Sequence, residues 1–190
     1  MVRERVDREG RLGRLVEVGC GTGFYTDVLA RKADTVLATD ISSGMLDIAK
    51  RRVAAPNVIF RVEDCQRTSL PNEGFDTAFI SLVIHFTVPE QTVGEMQRIL
   101  RPAGTLIVTN LDLQALTGLD RVRSLIRVAY QGVVGYRLKP PKGFGRNVVT
   151  EQQLCGLLSR SGFRVDSAET IRDSSRTSNI PVGYVRAVRV

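Results

Sequence analysis

The chain has 190 residues, of which 43% are hydrophobic and 25% are charged, and its formal net charge is +7. These values are typical of one soluble domain with a sizeable core. Neither a run of about 18 apolar residues nor an apolar signal core at the start is found, and the three cysteines are widely spaced, so a membrane span, export and a metal cluster are not expected. We therefore predict a cytoplasmic protein that binds no metal.

The start of the chain leads into a strand, a glycine loop and a helix. Residues 1–13 are charged, and we predict that they form a frayed lead-in with a short stretch of helix. Residues 15–18 read as a short apolar strand that contains one acid, Glu17. Three alternate glycines follow, namely Gly19, Gly21 and Gly23. A helical pattern begins near Phe24. Glycines let a ligand approach the backbone, and the helix start offers free N–H groups, so this loop predicts a nucleotide-like ligand.

Strands and helices alternate further along the chain, which predicts a mostly parallel α/β sheet. The next predicted strands are Thr35–Thr39, Val58–Val62, Phe75–Ser81 and Thr105–Thr109. Ser42 is predicted to cap the second helix, and capping boxes that begin at Thr87 and Thr150 predict two more helices. Residues 101–104 are predicted to be a turn. The last two strands, Val165–Ile171 and Tyr184–Val190, are joined by a polar linker too short for a helical crossover, so they should be antiparallel.

Polar side chains fall at or just after the carboxyl ends of four predicted strands. They are Glu17, Asp40, Asp64 and Ser81. Because ligands of open α/β sheets bind outside the carboxyl ends of the strands, we expect these residues to converge on one crevice.

Several segments together resemble a known family. They are EVGCGTG at residues 17–23, ATDIS at 38–42, VEDCQRTSLPNEGFD at 62–76, ISLVIHF at 80–86 and LRPAGTLIVTN at 100–110. In order and spacing they resemble the motifs of the class I S-adenosylmethionine-dependent methyltransferases, in the small-molecule branch that includes quinone-biosynthesis enzymes. The resemblance implies one Rossmann-like, doubly wound domain over residues 1–190, with a mostly parallel seven-stranded sheet, a C-terminal antiparallel hairpin and a lid insertion at residues 110–147.

The resemblance also implies the residues that bind the cofactor, S-adenosyl-L-methionine. Glu17 would order the glycine loop near the methionine end, Asp40 would bind the ribose hydroxyls, and Asp64 would accept from the adenine amine. Ile41 and the Cys65 N–H would lie by the adenine, and Ser81 would present its backbone to the ammonium group. The full implied set is Glu17, Gly19, Cys20, Gly21, Gly23, Tyr25, Asp40, Ile41, Met45, Asp64, Cys65 and Ser81.

His85 is the only histidine and follows the fourth predicted strand. From this position it could act as a general base toward the methyl acceptor. The alternative is a packed structural histidine. Methyl transfer from an activated sulfonium also proceeds by positioning and desolvation, without acid or base.

The sequence leaves several functions open. The first is methyl transfer to a small-molecule acceptor. The second is methylation of RNA, which the charge of +5 over residues 110–147 favours. The third is a non-catalytic cofactor-binding scaffold. Nicotinamide chemistry is disfavoured because Phe24 occupies the third glycine position of the dinucleotide fingerprint. An amphipathic pattern at residues 119–133, with arginines on one side, indicates either a lid helix or a membrane-surface helix.

Overall fold

The computed structural model describes residues 2–111, 149–171 and 181–190. Within these ranges the chain forms helices α1–α5, strands β1–β7 and one short 3₁₀ helix. In chain order they are α1 Val2–Asp7, β1 Arg14–Val18, α2 Thr26–Lys32, β2 Thr35–Asp40, α3 Ser43–Arg52, β3 Val58–Val62, β4 Phe75–Ser81, the 3₁₀ helix Ile84–Phe86, α4 Pro89–Ile99, β5 Leu100–Leu111, α5 Glu151–Arg160, β6 Phe163–Ile171 and β7 Val182–Arg189.

All seven strands belong to one sheet with the order β3-β2-β1-β4-β5-β7-β6. The neighbours from β3 to β5 pair in parallel, whereas β7 runs antiparallel to both β5 and β6. The sequence prediction of a mostly parallel seven-stranded sheet that closes with an antiparallel pair is therefore confirmed. Strand order reverses between β1 and β4, and in open α/β sheets a crevice forms at that point, outside the carboxyl ends of the strands.

The core lies on both faces of the sheet because side chains alternate along each strand. On β4, Ala78 and Ile80 belong to the cluster under α4 and α5, while Phe79 belongs to the cluster under α1, α2 and α3. Each of these three side chains is fully buried. The continuous apolar character of β4 thus reflects a strand that is covered on both faces.

The N-terminal segment is packed, so the prediction of a frayed lead-in was wrong. Val2 and Val6, one helical turn apart on α1, are buried against the sheet cluster that includes Phe79. Arg3 donates to both carboxylate oxygens of Asp27 on α2, at 2.7 and 2.6 Å. The sequence did not predict this packing because the ion pair between Arg3 and Asp27 joins residues that are distant along the chain.

The start of α4 differs from its predicted capping box. Val88 occupies the N-cap position, and no side-chain cap is formed there. The Thr87 hydroxyl instead donates to the carbonyl of Ile84 at 2.9 Å and accepts from Thr92. Gln66 accepts the N–H of Val88 at 2.8 Å, a bond that the N3 side chain makes in a capping box.

The second capping box, at the start of α5, is confirmed. The Thr150 hydroxyl accepts from the N–H of Gln153 at 3.1 Å, and the Gln153 side chain accepts from the N–H of Thr150 at 3.0 Å.

Residues 101–104 form a bulge within β5 rather than a separate turn before it. The register jumps from Leu100 opposite Phe75 to Thr105 opposite Thr77, and Ala103 has a φ of 61°. The predicted insertion at residues 110–147 and helix at 119–133 lie almost entirely outside the described residues. No helix in the described ranges is long and apolar enough to cross a membrane.

Candidate active site

The glycine loop after β1 is shaped by close packing on one side. Gly19 has a φ of 67°, and a Cβ at this position would lie 2.3 Å from Cγ2 of Val83, in the segment after β4. The Cys20 N–H donates to the carbonyl of Thr39 at 2.8 Å, which attaches the loop to β2. Burial raises the pKa of the Cys20 thiol, so this side chain stays protonated.

The other side of the loop is open at Gly21. Gly21 has a φ of 54°, and a Cβ built on it would have no heavy atom within 4 Å among the described residues. Gly23 is crowded instead, because a Cβ there would lie 2.9 Å from Cγ2 of Val53. Gly19 and Gly23 therefore allow the loop to pack, whereas Gly21 leaves room for a ligand against the backbone.

Asp40 ends β2 and holds the open part of the loop. Its Oδ2 accepts the N–H of Gly21 at 2.8 Å, and its Oδ1 accepts the N–H of Ser42 at 2.9 Å. An ionised carboxylate offers about four lone-pair sites, so about two remain for other donors. Asp40 can thus fix the loop and bind a pair of hydroxyl groups at the same time.

Glu17 lies beneath the loop and is only 2% exposed. The Thr26 hydroxyl, at the first residue of α2, donates to its Oε2 at 2.5 Å. Burial raises the pKa of Glu17 to about 8, and the Thr26 hydrogen bond opposes that rise. The crevice therefore contains an acid that is largely protonated at neutral pH when no cation is near.

Asp64 and Cys65 follow β3 and lie on the Asp40 side of the crevice. The Glu63 N–H donates to the carbonyl of Asp40 at 3.1 Å, which joins the ends of β2 and β3. Asp64 is exposed, and its Oδ1 accepts the N–H of Gln66 at 2.9 Å. Cys65 packs against the core, and burial raises the pKa of its thiol to about 11.

Ser81 ends β4 on the other side of β1. Its hydroxyl and that of Thr109 on β5 are 2.8 Å apart and share a hydrogen bond. Leu82 follows with a φ of 58° and donates its N–H to the carbonyl of Thr109 at 2.9 Å. The shared hydrogen bond orients the Ser81 hydroxyl toward Thr109 of β5.

The remaining residues of the implied set make different contacts; they are Tyr25, Ile41 and Met45. The Tyr25 ring lies edge-on to the rings of Phe24 and Phe79, with centroid distances of 4.9 and 5.6 Å, so it packs partly against the core. Ile41 follows Asp40 and is 72% exposed, which leaves an apolar surface beside the carboxylate. The N–H of Met45 donates to the Ser42 hydroxyl at 3.3 Å and so completes the predicted helix cap.

His85 is partly buried in the 3₁₀ helix that follows β4, with its ring 4.1 Å from that of Phe86. Within the described part of the chain its Nδ1 is buried without a hydrogen-bond partner. Burial lowers the pKa of His85 to about 4, and the Asn110 side chain opposes this shift. The imidazole is therefore neutral at physiological pH.

Three polar residues that support these groups were missed in the sequence. They are Thr26, Thr109 and Asn110. Asn110 donates to the carbonyl of Val149 at 2.5 Å and so connects β5 to the segment before α5. Polar residues that follow the apolar residues 106–108 are a sequence signal for Thr109 and Asn110, which lie near the end of β5. For Thr26 the sequence offers only its place in the first helical turn.

The arrangement fits S-adenosylmethionine on three observations. Asp40 has acceptor capacity for a ribose diol, the open side of Gly21 can take a ligand against the backbone, and Glu17 is a buried acid suited to a cationic ligand. These three groups come from β1, β2 and the loop between β1 and α2, so the fold brings them together at the crevice. No group of three or more metal-ligating side chains occurs among the residues described.

Comparison with known proteins agrees with this assignment. Residues 16–108 match the family model of a methyltransferase domain. The chain is 31% identical over 99 residues to malonyl-[acyl-carrier protein] O-methyltransferase of Serratia marcescens, which covers 52% of this chain and 38% of the relative. It is 32% identical over 98 residues to demethylmenaquinone methyltransferase of Clavibacter sepedonicus, which covers 50% of this chain and 40% of the relative.

These alignments span about two fifths of the length of the two relatives. The fold is also that of a S-adenosylmethionine-dependent methyltransferase structure from Aquifex aeolicus. The TM-score is 0.68 at 19% identity, over 100% of this chain and 88% of that one. The motifs, the strand order and the family match agree, and residues 16–108 belong to the methyltransferase-domain family.

Proposed function

We propose that this chain transfers a methyl group from S-adenosylmethionine to a small-molecule acceptor. The observation that carries the proposal is the joint placement of Glu17, Gly21 and Asp40 at the point where the strand order reverses. The names of the two curated relatives support it, because they describe methyltransferases of malonyl-[acyl-carrier protein] and of demethylmenaquinone.

In this proposal each part of the crevice binds one part of the cofactor. Asp40 accepts from the ribose hydroxyls, Ile41 and Met45 contact the adenine, and Asp64 with the Cys65 N–H binds its polar edge. Glu17 and the Ser81 backbone lie toward the methionine end, and Tyr25 covers it. The bound cofactor supplies a methyl group on a positively charged sulfur, so the protein has to orient it, exclude water and position the acceptor.

Charge favours an anionic acceptor. Residues 112–148 contain seven basic and two acidic residues and so carry five of the seven net positive charges of the chain. This segment is joined to β5 at Leu111, which pairs with Val182 of β7 at the edge of the sheet where the crevice lies. Positive charge connected to that edge raises the local concentration of anionic acceptors.

In this proposal His85 acts on the methyl acceptor and does not contribute to cofactor binding. Its neutral imidazole could accept a proton from the methyl acceptor, in keeping with its position after β4. The low pKa makes it a weak base, so positioning of the acceptor supplies most of the acceleration. A general-base role for His85 stays a prediction.

Titration calorimetry with S-adenosylmethionine and S-adenosylhomocysteine tests the cofactor site. We expect both to bind, and we expect Asp40→Ala to weaken both by about 1–3 kcal/mol, which is roughly 5- to 150-fold in Kd. Asp34→Ala is the matched control, because Asp34 is an exposed acid that precedes the opposite end of β2 and pairs with Arg11. Its affinity should equal that of the wild type.

The experiment has two adverse results. If neither ligand binds the wild-type chain, the proposed function is wrong. If Asp40→Ala and Asp34→Ala bind the two ligands with the same affinity, the ribose is not bound at Asp40. When binding is established, formation of S-adenosylhomocysteine can be followed with a carboxylate acceptor and a quinol acceptor, the two acceptor classes that the names of the relatives suggest.

A further inference from the structure

Glu17 is an acid without a cationic partner. It lies between Ala38 of β2 and Phe79 of β4 in the sheet, and only 2% of it is exposed. The hydrogen bond from Thr26 comes from a neutral hydroxyl. Among the described residues, the charged groups that act on its carboxyl group are the acids Asp27 and Asp40, and no arginine, lysine or histidine forms a salt bridge with it.

The titratable groups around Glu17 cannot neutralise a carboxylate. Asp40 on β2 and Asp27 on α2 are acids that disfavour a second negative charge, and Cys20 in the loop is a buried thiol. Asp27 is already paired with Arg3, and β4 contributes only the apolar Phe79 beside Glu17. Apart from the Thr26 hydroxyl, the described elements around Glu17 therefore present acids, a thiol and an apolar group.

An uncompensated carboxylate at this depth is costly, so the neutral acid is favoured as long as no cation lies nearby. Burial accordingly raises the pKa of Glu17 to about 8. A ligand cation placed nearby has the opposite effect, because it favours the charged form. Both the ammonium and the sulfonium of S-adenosylmethionine are such cations.

We propose that Glu17 holds a proton in the empty domain and releases it to solvent when the cationic methionine end of the cofactor binds. This inference rests on the proposed function. It makes Glu17 the residue that selects for a positively charged ligand, and it couples cofactor affinity to pH. The bond that breaks is the O–H bond of the Glu17 carboxyl group, and the proton is taken up by the buffer.

The direction of the pH dependence follows from linkage. Below the pKa of Glu17 each binding event displaces up to one proton, so affinity rises with pH by up to about tenfold per unit and then levels off. The α-amino group of the ligand also titrates near this range. A Glu17→Gln variant keeps that ligand contribution and removes the one from the protein.

Calorimetry with S-adenosylhomocysteine in phosphate and in Tris measures the released proton, because the two buffers take up protons with different heats. At pH 7 we expect the binding enthalpy of the wild type to differ between the buffers by an amount equal to a large fraction of one proton. Glu17→Gln should show a much smaller difference. Equal proton release by the two proteins would overturn the inference.

Thr26→Val is a second variant that tests the inference independently. Thr26 is fully buried and Val has a similar shape, so the change mainly removes the hydroxyl that stabilises the carboxylate. Proton release should persist in Thr26→Val, and the pH at which affinity levels off should move upward. An unchanged pH profile would count against Glu17 as the source of the proton. Absence of binding by the wild type would instead overturn the proposed function itself.

Discussion

Substitution of Gly19 and of Gly21 by alanine should separate packing from ligand binding. Both glycines have left-handed backbone, with φ values of 67° and 54°, so each alanine costs about 1–2 kcal/mol in backbone conformation. At Gly19 the new methyl group would lie 2.3 Å from Cγ2 of Val83. Overpacking of this kind adds about 1–3 kcal/mol. We therefore expect Gly19→Ala to lose roughly 2–5 kcal/mol of unfolding free energy and Gly21→Ala only about 1–2 kcal/mol.

Cofactor affinity should follow a different order. The Cβ of Gly21→Ala would enter the open side of the loop, where we propose that the cofactor lies, so S-adenosylhomocysteine binding should fall by more than about tenfold. Urea unfolding followed by circular dichroism gives the stabilities, and calorimetry gives the affinities. Val83→Ala in the Gly19→Ala background should recover most of the overpacking cost, which tests the contact directly.

Two results would refute this reasoning. Equal destabilisation by the two alanines, without rescue by Val83→Ala, would mean that Gly19 does not pack against Val83. Wild-type affinity in Gly21→Ala would mean that the open side of Gly21 does not face the cofactor. The total stability of a small domain is about 5–15 kcal/mol, so differences of this size are measurable.

Further expectations concern three side chains. Burial raises the pKa of Glu17 from 4.5 to about 8, so the folded state binds more protons than the unfolded chain between these values, and stability should fall as pH rises through that window. Glu17→Gln should remove this fall and raise the unfolding free energy at pH 7 by on the order of 3 kcal/mol. The prediction is wrong if the urea midpoint changes by the same amount between pH 5 and pH 7.5 in the wild type and in the variant. Thr150→Ala removes one half of the capping box of α5 and should cost about 1 kcal/mol by urea unfolding, whereas no change would mean that the box is dispensable. His85→Ala should leave the calorimetric affinity for S-adenosylhomocysteine unchanged, and a loss above about tenfold would place His85 in the cofactor site.

Local patterns in the sequence determined the elements of the fold. The bounds of β3 and β4 were predicted as Val58–Val62 and Phe75–Ser81, and the structure has the same bounds. Strand alternation and the short linker before β7 also sufficed to predict the sheet and its antiparallel end. Such features depend on neighbouring residues, which is why they can be read along the chain.

The two capping boxes show where local patterns stop being sufficient. Thr87 and Thr150 begin similar sequences, and only Thr150 caps its helix. At Thr87 the hydroxyl is taken by Ile84 and Thr92, and Gln66 reaches the helix start from another loop. Gln66 lies 22 residues from Val88, so this contact cannot be read from the local pattern.

The same distinction holds in the crevice. Glu17, Gly21 and Asp40 could be selected from the sequence because each has a fixed place relative to a strand end. Only the tertiary structure decided that Asp40 binds the N–H of Gly21 and that Thr26 is the hydrogen-bond donor to Glu17. It also decided that Glu17 is buried without a cation among the described residues, which gives this acid its raised pKa. The sequence specifies which chemical groups are present, whereas burial and contacts between distant segments set their protonation and their partners.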